Sequence, residues 1–281
     1  MAYVLTLIAP EGSILTPPEH VTRGATHQLW LEEGRALDLF FDMPPALPEL
    51  QGIDAVLQPV KGSEKKLLIS DMDSTMIAQE CIDELADLVG KKPHVAAITE
   101  RAMNGELDFK AALSERVALL KGLTTADLAR VMAERITLMP GAKTLIATMK
   151  ARGCHTVLVS GGFTFFTARV AAATGFHEDH ANHLDMENDH LTGKVVEPIL
   201  DKESKLHLLQ HIAAQKNLTL QETLAIGDGA NDLPMLNAAG LGVAYHAKKM
   251  VQQQVTARIN HNDLSALLLV QGIAPEHWQQ Q

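Results

Sequence analysis

Asp71 and Asp73 stand two residues apart in Asp71-Met72-Asp73-Ser74-Thr75, directly after the apolar run Leu67-Leu68-Ile69-Ser70. On an extended segment, residues i and i+2 project to the same side, so both carboxylates can face one site. Such a pair divides into a group that attacks and a group that moves protons. Gly227-Asp228-Gly229-Ala230-Asn231-Asp232 follows a second apolar run, Thr223-Leu224-Ala225-Ile226. Acidic oxygens on a glycine-flexed loop suit Mg²⁺, which takes hard oxygen ligands and keeps water. Asp232 also fits as the N-cap of the helix containing Pro234. Ser160-Gly161-Gly162-Phe163 reads as a turn between a strand and a helix starting near Phe163. There the glycines admit an anion close to the backbone and the hydroxyl donates to it, although an ordinary strand-to-helix turn fits the same residues. Lys205 falls in the opening turn of a helix beginning after Asp201, where the helix dipole disfavours a cation. A nearby phosphoryl group or the Asp71 carboxylate accounts for it, and a solvated lysine is the alternative.

These residues need a sheet to hold them. From about residue 67 onward, short apolar runs at 67–70, 155–160, 223–227 and 241–245 alternate with longer helical patterns, the signature of a parallel sheet built from βαβ units. The chemistry then lies where the strands end, as in open α/β sheets generally. Between the first two runs, about residues 77–135 are helical throughout and read as an inserted cap of three or four helices. Gly105 with Asp108, and Gly122 with Thr124, mark its stops and starts. Pro140-Gly141 opens a helix through about Arg152, closed by Gly153. His177 to Val196 reads as a hairpin turning at Asn188-Asp189, and its four histidines match no common metal-ligand spacing. The expected organisation is an α/β, Rossmann-like core (63–76 and 136–281), the cap (77–135) and a small N-terminal α+β unit (1–62). In that last unit Tyr3 to Ala9 and Ala36 to Phe41 read as strands, and Gly62 to Lys66 as a linker.

Within the cap, Phe109, Leu113, Arg116, Val117 and Leu120 share one helical face, so a guanidinium interrupts an apolar stripe. A substrate carboxylate or a glutamate of the cap would satisfy it. The 281 residues, 46% hydrophobic, suffice for a full core plus a smaller module. A net charge of −10 argues against general nucleic-acid binding. No run approaches the length of a membrane span and the N-terminus lacks a basic secretory start, so a cytoplasmic protein is expected. Cys81 and Cys154 read as reduced core thiols.

The ordered set D-M-D-S-T, S-G-G-F, Lys205 and G-D-G-A-N-D resembles the haloacid dehalogenase superfamily, and closely its phosphoserine phosphatase family, over about residues 67–265. The resemblance implies Mg²⁺-dependent hydrolysis of O-phospho-L-serine, the last step of serine biosynthesis. In it Asp71 attacks phosphorus to form an aspartyl phosphate, and Asp73 is the general acid and base. It further implies Asp71, Asp228 and the Asp73 carbonyl as Mg²⁺ ligands supported by Asp232. Ser160, Gly161, Lys205 and Asn231 would hold the phosphoryl oxygens. In the cap, Glu80, Met103, Phe109 and Arg116 fall where the family recognises substrate, Glu80 taking the ammonium and Arg116 the carboxylate. The N-terminal segment departs from members that carry ACT-type modules and is expected to be structural or to form a homodimer. A phosphotransferase acting on another hydroxyl acceptor and a non-catalytic phospho-ligand sensor are the alternatives.

Overall fold

The computed structural model describes residues 2–60, 64–103 and 106–279, with only the main chain of Met103. The first part is an antiparallel sheet of β1 (Tyr3–Ile8), β2 (His27–Glu32), β3 (Ala36–Phe41) and β4 (Asp54–Pro59), in the order β2-β3-β1-β4, with a single turn of helix, α1 (Glu19–Thr22). Two of these strands, β2 and β4, go beyond the sequence reading. β2 is an edge strand with an exposed first half, and β4 carries a proline, so neither has the compact apolar run of β1.

A seven-stranded sheet follows in the order β11-β10-β9-β5-β6-β7-β8. Its members are β5 (Leu67–Ser70), β6 (His155–Phe163), β7 (Glu178–Glu187), β8 (His190–Val196), β9 (Thr223–Gly227), β10 (Leu241–Tyr245) and β11 (Ala257–Ile259). All pair in parallel except β8, which returns antiparallel to β7. β5 is central and completely buried, which is why its sequence is an uninterrupted apolar run. The chain leaves β5 toward β6 on one side and comes back to β9 on the other, so β5 and β9 flank the point where strand order reverses.

Between β5 and β6 lie four helices, α2 (Cys81–Leu88), α3 (Lys92–Met103), α4 (Phe109–Ala118) and α5 (Thr125–Glu134), then α6 (Ala142–Ala151). Asp108 caps α4 by accepting from the Ala111 N–H at 2.7 Å, and Thr124 with Asp127 forms a reciprocal capping box on α5. Gly105 lies outside the described residues. The chain segments leading into and out of these helices pair with each other, through Ala78 N–H to Thr137 O at 3.0 Å and Met139 N–H to Met76 O at 2.9 Å. A second tie joins the end of the helical block to β8, through Gly122 N–H to Leu191 O at 2.9 Å and Leu191 N–H to Leu123 O at 2.7 Å. The remaining helices are α7 (Thr164–Thr174), α8 (Lys202–Gln215), α9 (Leu233–Ala238), α10 (Lys249–Gln252) and α11 (Ala266–Val270). Among the described residues no helix is long and apolar enough to cross a membrane.

The structure corrects one sequence expectation and adds to the reading at three other places. Ser160-Gly161-Gly162-Phe163 is not a turn: β6 runs through it, with a register irregularity against β7 between Val159 and Phe163, so the glycines make a bulge. β7 is more than half of a hairpin, because its first residues extend the parallel sheet beside β6. β11 is only three residues long, below what periodicity resolves. The stretch read as a linker is anchored at Lys65, which is buried and donates from Nζ to Gln221 O at 2.9 Å; Lys61 to Ser63 lie outside the described residues.

The N-terminal sheet is fused to the larger body. Ile8, Leu31, Ala36 and Val56 belong to the same buried apolar cluster as Leu68 of β5 and Leu267 of α11. Asp54, buried at the start of β4, accepts from the main-chain N–H groups of Asn260 and His261 at 2.7 and 3.2 Å and from Asn262 Nδ2 at 2.9 Å. Burial also lifts Asp38, on β3, to about 6 against an ordinary 3.8, although Thr6 donates to it at 2.6 Å. Between those values the native state binds more protons than the unfolded chain, so this residue's contribution to stability falls as pH rises through the window and stays lost above it. Asp38→Asn is therefore expected to stabilise the chain at about pH 7 by on the order of 1–3 kcal/mol, with the gain vanishing below about pH 4. Urea unfolding at the two pH values measures this, and an equal effect at both would exclude a buried charge as its cause.

Candidate active site

At the C-terminal end of β5 the sheet ladder continues one residue further, with Asp71 N–H donating to Ile226 O at 2.9 Å. This fixes Asp71 beside the end of β9. Its Oδ1 accepts from Met72 N–H at 2.8 Å and from Lys205 Nζ at 2.8 Å. Among the described residues, no hydrogen bond reaches Oδ2. Asp73 is held on both oxygens: Oδ1 accepts from the N–H of Cys81, the first residue of α2, and Oδ2 from the Ser160 hydroxyl, at 2.8 and 2.9 Å. Ser160 in turn accepts from Gly162 N–H at 2.8 Å, so the bulge in β6 aims its hydroxyl across to β5. A Cβ on Gly162 would lie 3.0 Å from both Asp73 Oδ2 and Ser160 Oγ, which explains the second glycine.

Lys205 enters from α8, where Asp201 and Ser204 form a capping box. It is 1% exposed and donates to Asp71 Oδ1 and, at 2.7 Å, to Asp232 Oδ1. The two carboxylates raise its pKa against the opposing effect of burial, so it is an ammonium throughout the ordinary pH range. The solvated-lysine alternative is thereby excluded. Asp232 precedes α9, but its carboxylate makes no cap to that helix; Oδ2 instead accepts from Gly229 N–H at 3.1 Å and closes the tight Gly229–Asp232 turn. Lys205 draws the side chain away from α9, since an ammonium gains more from a buried carboxylate than a helix end does.

Asp71, Asp228 and Asp232 bring carboxylate oxygens within 4.8 Å of one another. Burial first, then the Asp232 charge, push Asp71 upward and lift Asp228 to about 6. Among the described residues, these three buried carboxylates are met by the Lys205 ammonium and, at Asp228, by the charge of Lys248, so acidic groups outnumber basic ones here. An all-oxygen donor set with that excess fits a hard divalent cation such as Mg²⁺. Asp73 fits as a carbonyl ligand only, because both of its carboxylate oxygens are occupied.

Above this floor sits the helical block. The Phe109 ring lies close over the β6 bulge, where a Cβ on Gly161 would be 3.3 Å from Phe109 Cζ. Glu80 occupies the N-cap position of α2 without capping it; its Oε1 accepts from the Ser74 hydroxyl at 2.8 Å. Although open to solvent, Glu80 is pushed up to about 7 by the closeness of the surrounding walls and by Asp73. Arg116, on α4, is partly buried and donates from Nε to Ala112 O at 3.2 Å. It has no salt bridge among the described residues, with Asp83 and Glu80 its nearest electrostatic partners. Met103 closes α3, and its side chain lies outside the described residues.

Three supporting residues escaped the sequence reading. Ser74 adopts φ +55°, a left-handed conformation unusual for serine, which turns the chain sharply after Asp73. Asn182, buried on β7, donates to Gly161 O at 2.9 Å and accepts from Leu200 N–H at 2.7 Å, tying the bulge to the segment before α8. The Cys81 thiol is buried, and burial and the Asp73 charge push it upward, while its N–H orients Asp73. Ser74 lies within the Asp71-Met72-Asp73-Ser74-Thr75 motif and Cys81 reads as a core thiol, but the contacts of all three are identified only by the folded neighbourhood.

A carboxylate at a strand switch point, a buried lysine bonded to it, a cluster of acidic oxygens and a helical cover are the arrangement that phosphoryl-transfer hydrolases use. The chain belongs to the haloacid dehalogenase-like hydrolase family, whose model matches residues 68–237. It is 45% identical over 221 residues to the phosphoserine phosphatase of Albidiferax ferrireducens, a match covering 77% of this chain and 93% of that one. A crystal structure of a haloacid dehalogenase family hydrolase from Salmonella enterica serovar Typhi superposes with a TM-score of 0.84 at 31% identity, covering 96% of this chain and 98% of the other, the N-terminal sheet largely included. A phosphoserine phosphatase solved as an analogue of the phospho-aspartyl intermediate aligns with a TM-score of 0.68 at 36% identity, covering 73% of this chain and 98% of that chain. The chain is accordingly a phosphatase.

Proposed function

We propose that this phosphatase hydrolyses O-phospho-L-serine, with Asp71 forming an aspartyl phosphate and a Mg²⁺ ion bound by Asp71, Asp228 and the Asp73 carbonyl, supported by Asp232. The observation that carries the reading is the arrangement around Asp71, one oxygen anchored by Met72 N–H and Lys205 and the other left free of hydrogen bonds among the described residues. The bound cation would supply positive charge that lets an anionic nucleophile approach an anionic phosphate.

Asp71 Oδ2 attacks phosphorus while Asp73 gives a proton to the departing serine oxygen; Asp73 later takes a proton from the water that hydrolyses the acyl phosphate. The Cys81 N–H, bonded to Asp73 Oδ1, orients the Asp73 carboxylate through both transfers. Lys205, Ser160, the Gly161 backbone and Asn231 receive the phosphoryl oxygens, the Ser160 hydroxyl turning from Asp73 to do so.

Recognition of the amino acid falls to the cap. Arg116 is a guanidinium with no carboxylate in salt-bridge contact among the described residues, Asp83 and Glu80 acting on it only through their charge, on the helix whose Phe109 covers the β6 bulge. A bidentate bond to the substrate carboxylate satisfies it. Glu80 takes the substrate ammonium, whose charge returns this carboxyl to its ionised form. The reading places the enzyme at the last step of serine formation, in the compartment where that synthesis runs.

Phosphate release from O-phospho-L-serine and O-phosphoethanolamine, with Mg²⁺ or with chelator, tests the proposal. Release is expected to need the metal and to favour phosphoserine. Arg116→Ala should raise KM for phosphoserine by roughly 10- to 100-fold, the loss of a charge-assisted pair, and leave phosphoethanolamine, which lacks the carboxylate, nearly unchanged. Equal losses on both substrates would remove Arg116 from carboxylate recognition, and indifference to chelator would overturn the metal assignment.

A further inference from the structure

The end of the large sheet opposite Asp71 holds a second concave site. A cavity of about 510 Å³ opens where β5 and β6 begin, lined among others by Lys66, Lys150, Lys216, His155 and His177, with Glu222 the one acidic side chain in its wall among the described residues. In a chain of net charge −10, this concentration of basic groups runs against the overall balance.

The charges are not all neutralised locally. Lys66 pairs with Glu64 at 3.0 Å, and His155 meets Glu178 at 2.5 Å. Glu222 turns its carboxylate to the N–H and hydroxyl of Thr219, both at 2.9 Å, where it closes a capping box. Lys150 donates to the Gly175 carbonyl at the end of α7, which uses one of its three protons and none of its charge. Lys216, exposed at the end of α8, has no salt bridge among the described residues. The unbalanced cations are therefore Lys150 and Lys216.

His177 lines the same cavity within the field of both lysines and is stacked on His155 with ring centroids 4.8 Å apart. Its Nδ1 accepts from Thr156 N–H at 3.1 Å, so the neutral ring carries its proton on Nε2. That leaves an N–H donor on the ring edge away from Thr156 in either protonation state. Slight burial and the positive charges of Lys150, His155 and Lys216 hold the His177 pKa below the ordinary value, with Glu178 opposing them. The same field that disfavours a proton on His177 attracts an anion.

We propose that this cavity is a binding site for a dianionic oxyanion, an inorganic phosphate or the phosphate group of a monoester, held by Lys150 and Lys216 with the Nε2–H of His177. The site is separate from Asp71, because Lys66 and His155 stand at the starts of the strands whose far ends carry Asp71 and Ser160. It does not depend on which phosphate ester the enzyme hydrolyses.

The test is NMR titration of the histidine imidazoles of the full chain with inorganic phosphate, and in parallel with methylphosphonate as a hydrolysis-resistant ester mimic. The His177 pKa is expected to rise by about one unit at saturation, since an adjacent anion favours the charged ring. The better of the two ligands distinguishes free phosphate from an ester as the natural occupant. In Lys150→Gln/Lys216→Gln the response should disappear while turnover stays within about twofold of the parent, both lysines being remote from the reaction. Three results would overturn the proposal. One is a His177 response reproduced by chloride at equal ionic strength. Another is phosphate binding confined to the Asp71 site. The last is a double variant that melts earlier but keeps the His177 response, which would reduce the lysines to helix-end caps.

Discussion

Asp71→Asn is expected to abolish phosphate release, by roughly 10⁴-fold or more, while the chain stays folded. An amide is close to isosteric with the carboxylate and can still accept from Met72 N–H, whose bond to Asp71 is 2.8 Å long. What the substitution removes is the anionic oxygen that, in the proposed mechanism, bonds to phosphorus. No neighbour replaces it: Asp73 is tied to Cys81 and Ser160, and Asp232 to Lys205 and Gly229. Stability should not fall, because the neutral amide relieves the crowding of three buried carboxylates. Rapid acid quench adds a direct readout, with substrate phosphorus recovered on the parent protein and absent from the variant. Residual turnover within about tenfold of the parent would instead mean that water attacks directly and Asp71 only binds metal.

Lys205→Met should be the most destabilising single change in the site. The ammonium is completely buried between two carboxylate oxygens at 2.7 and 2.8 Å, and methionine fills much of its volume without its charge. Breaking a buried ion pair by removing one partner costs about 3–5 kcal/mol, because the other charge stays behind in a poor solvent. For a chain of this size that is a fall in Tm of roughly 10 °C or more. The pH dependence follows in sign. Burial already pushes Asp71 upward and Lys205 opposes it, so without the ammonium Asp71 takes up a proton more readily in the folded than in the unfolded state, and the deficit is full at neutral pH and shrinks as pH falls toward the ordinary carboxylate range. Added Mg²⁺ should recover part of the stability but little of the activity, since the phosphoryl oxygens also lose a donor, worth about 10²-fold or more. Thermal unfolding with and without Mg²⁺ measures the first effect and phosphate release the second. A variant as stable as its parent would show that the buried Lys205 ion pairs make no net contribution to stability.

Strand-end chemistry was legible because a buried parallel strand writes itself as a short apolar run with the functional residues just beyond it. β5, β9 and β10 lie where Leu67–Ser70, Thr223–Gly227 and Leu241–Tyr245 place them. Helix boundaries marked by caps, such as Asp108, Thr124 and Asp201, were equally local. The β6 bulge was not, because glycines relax the backbone without saying whether it turns or stays extended, and pairing with β7 decides that. The same holds for Asp232, whose sequence position suits a helix cap but whose carboxylate goes to a lysine 27 residues away.

The sequence by itself therefore determined which residue types are available for chemistry, the order in which they occur and the strand ends they follow, since each depends only on residue type and near neighbours. Tertiary structure alone decided their pairing: Lys205 with Asp71 across 134 positions, Ser160 with Asp73 across 87, and the N-terminal sheet with the β11 segment through Asp54. These contacts join segments whose separation no local pattern encodes. They form because a buried charge or hydrogen-bonding group must find its partner wherever the packed sheet brings one within reach.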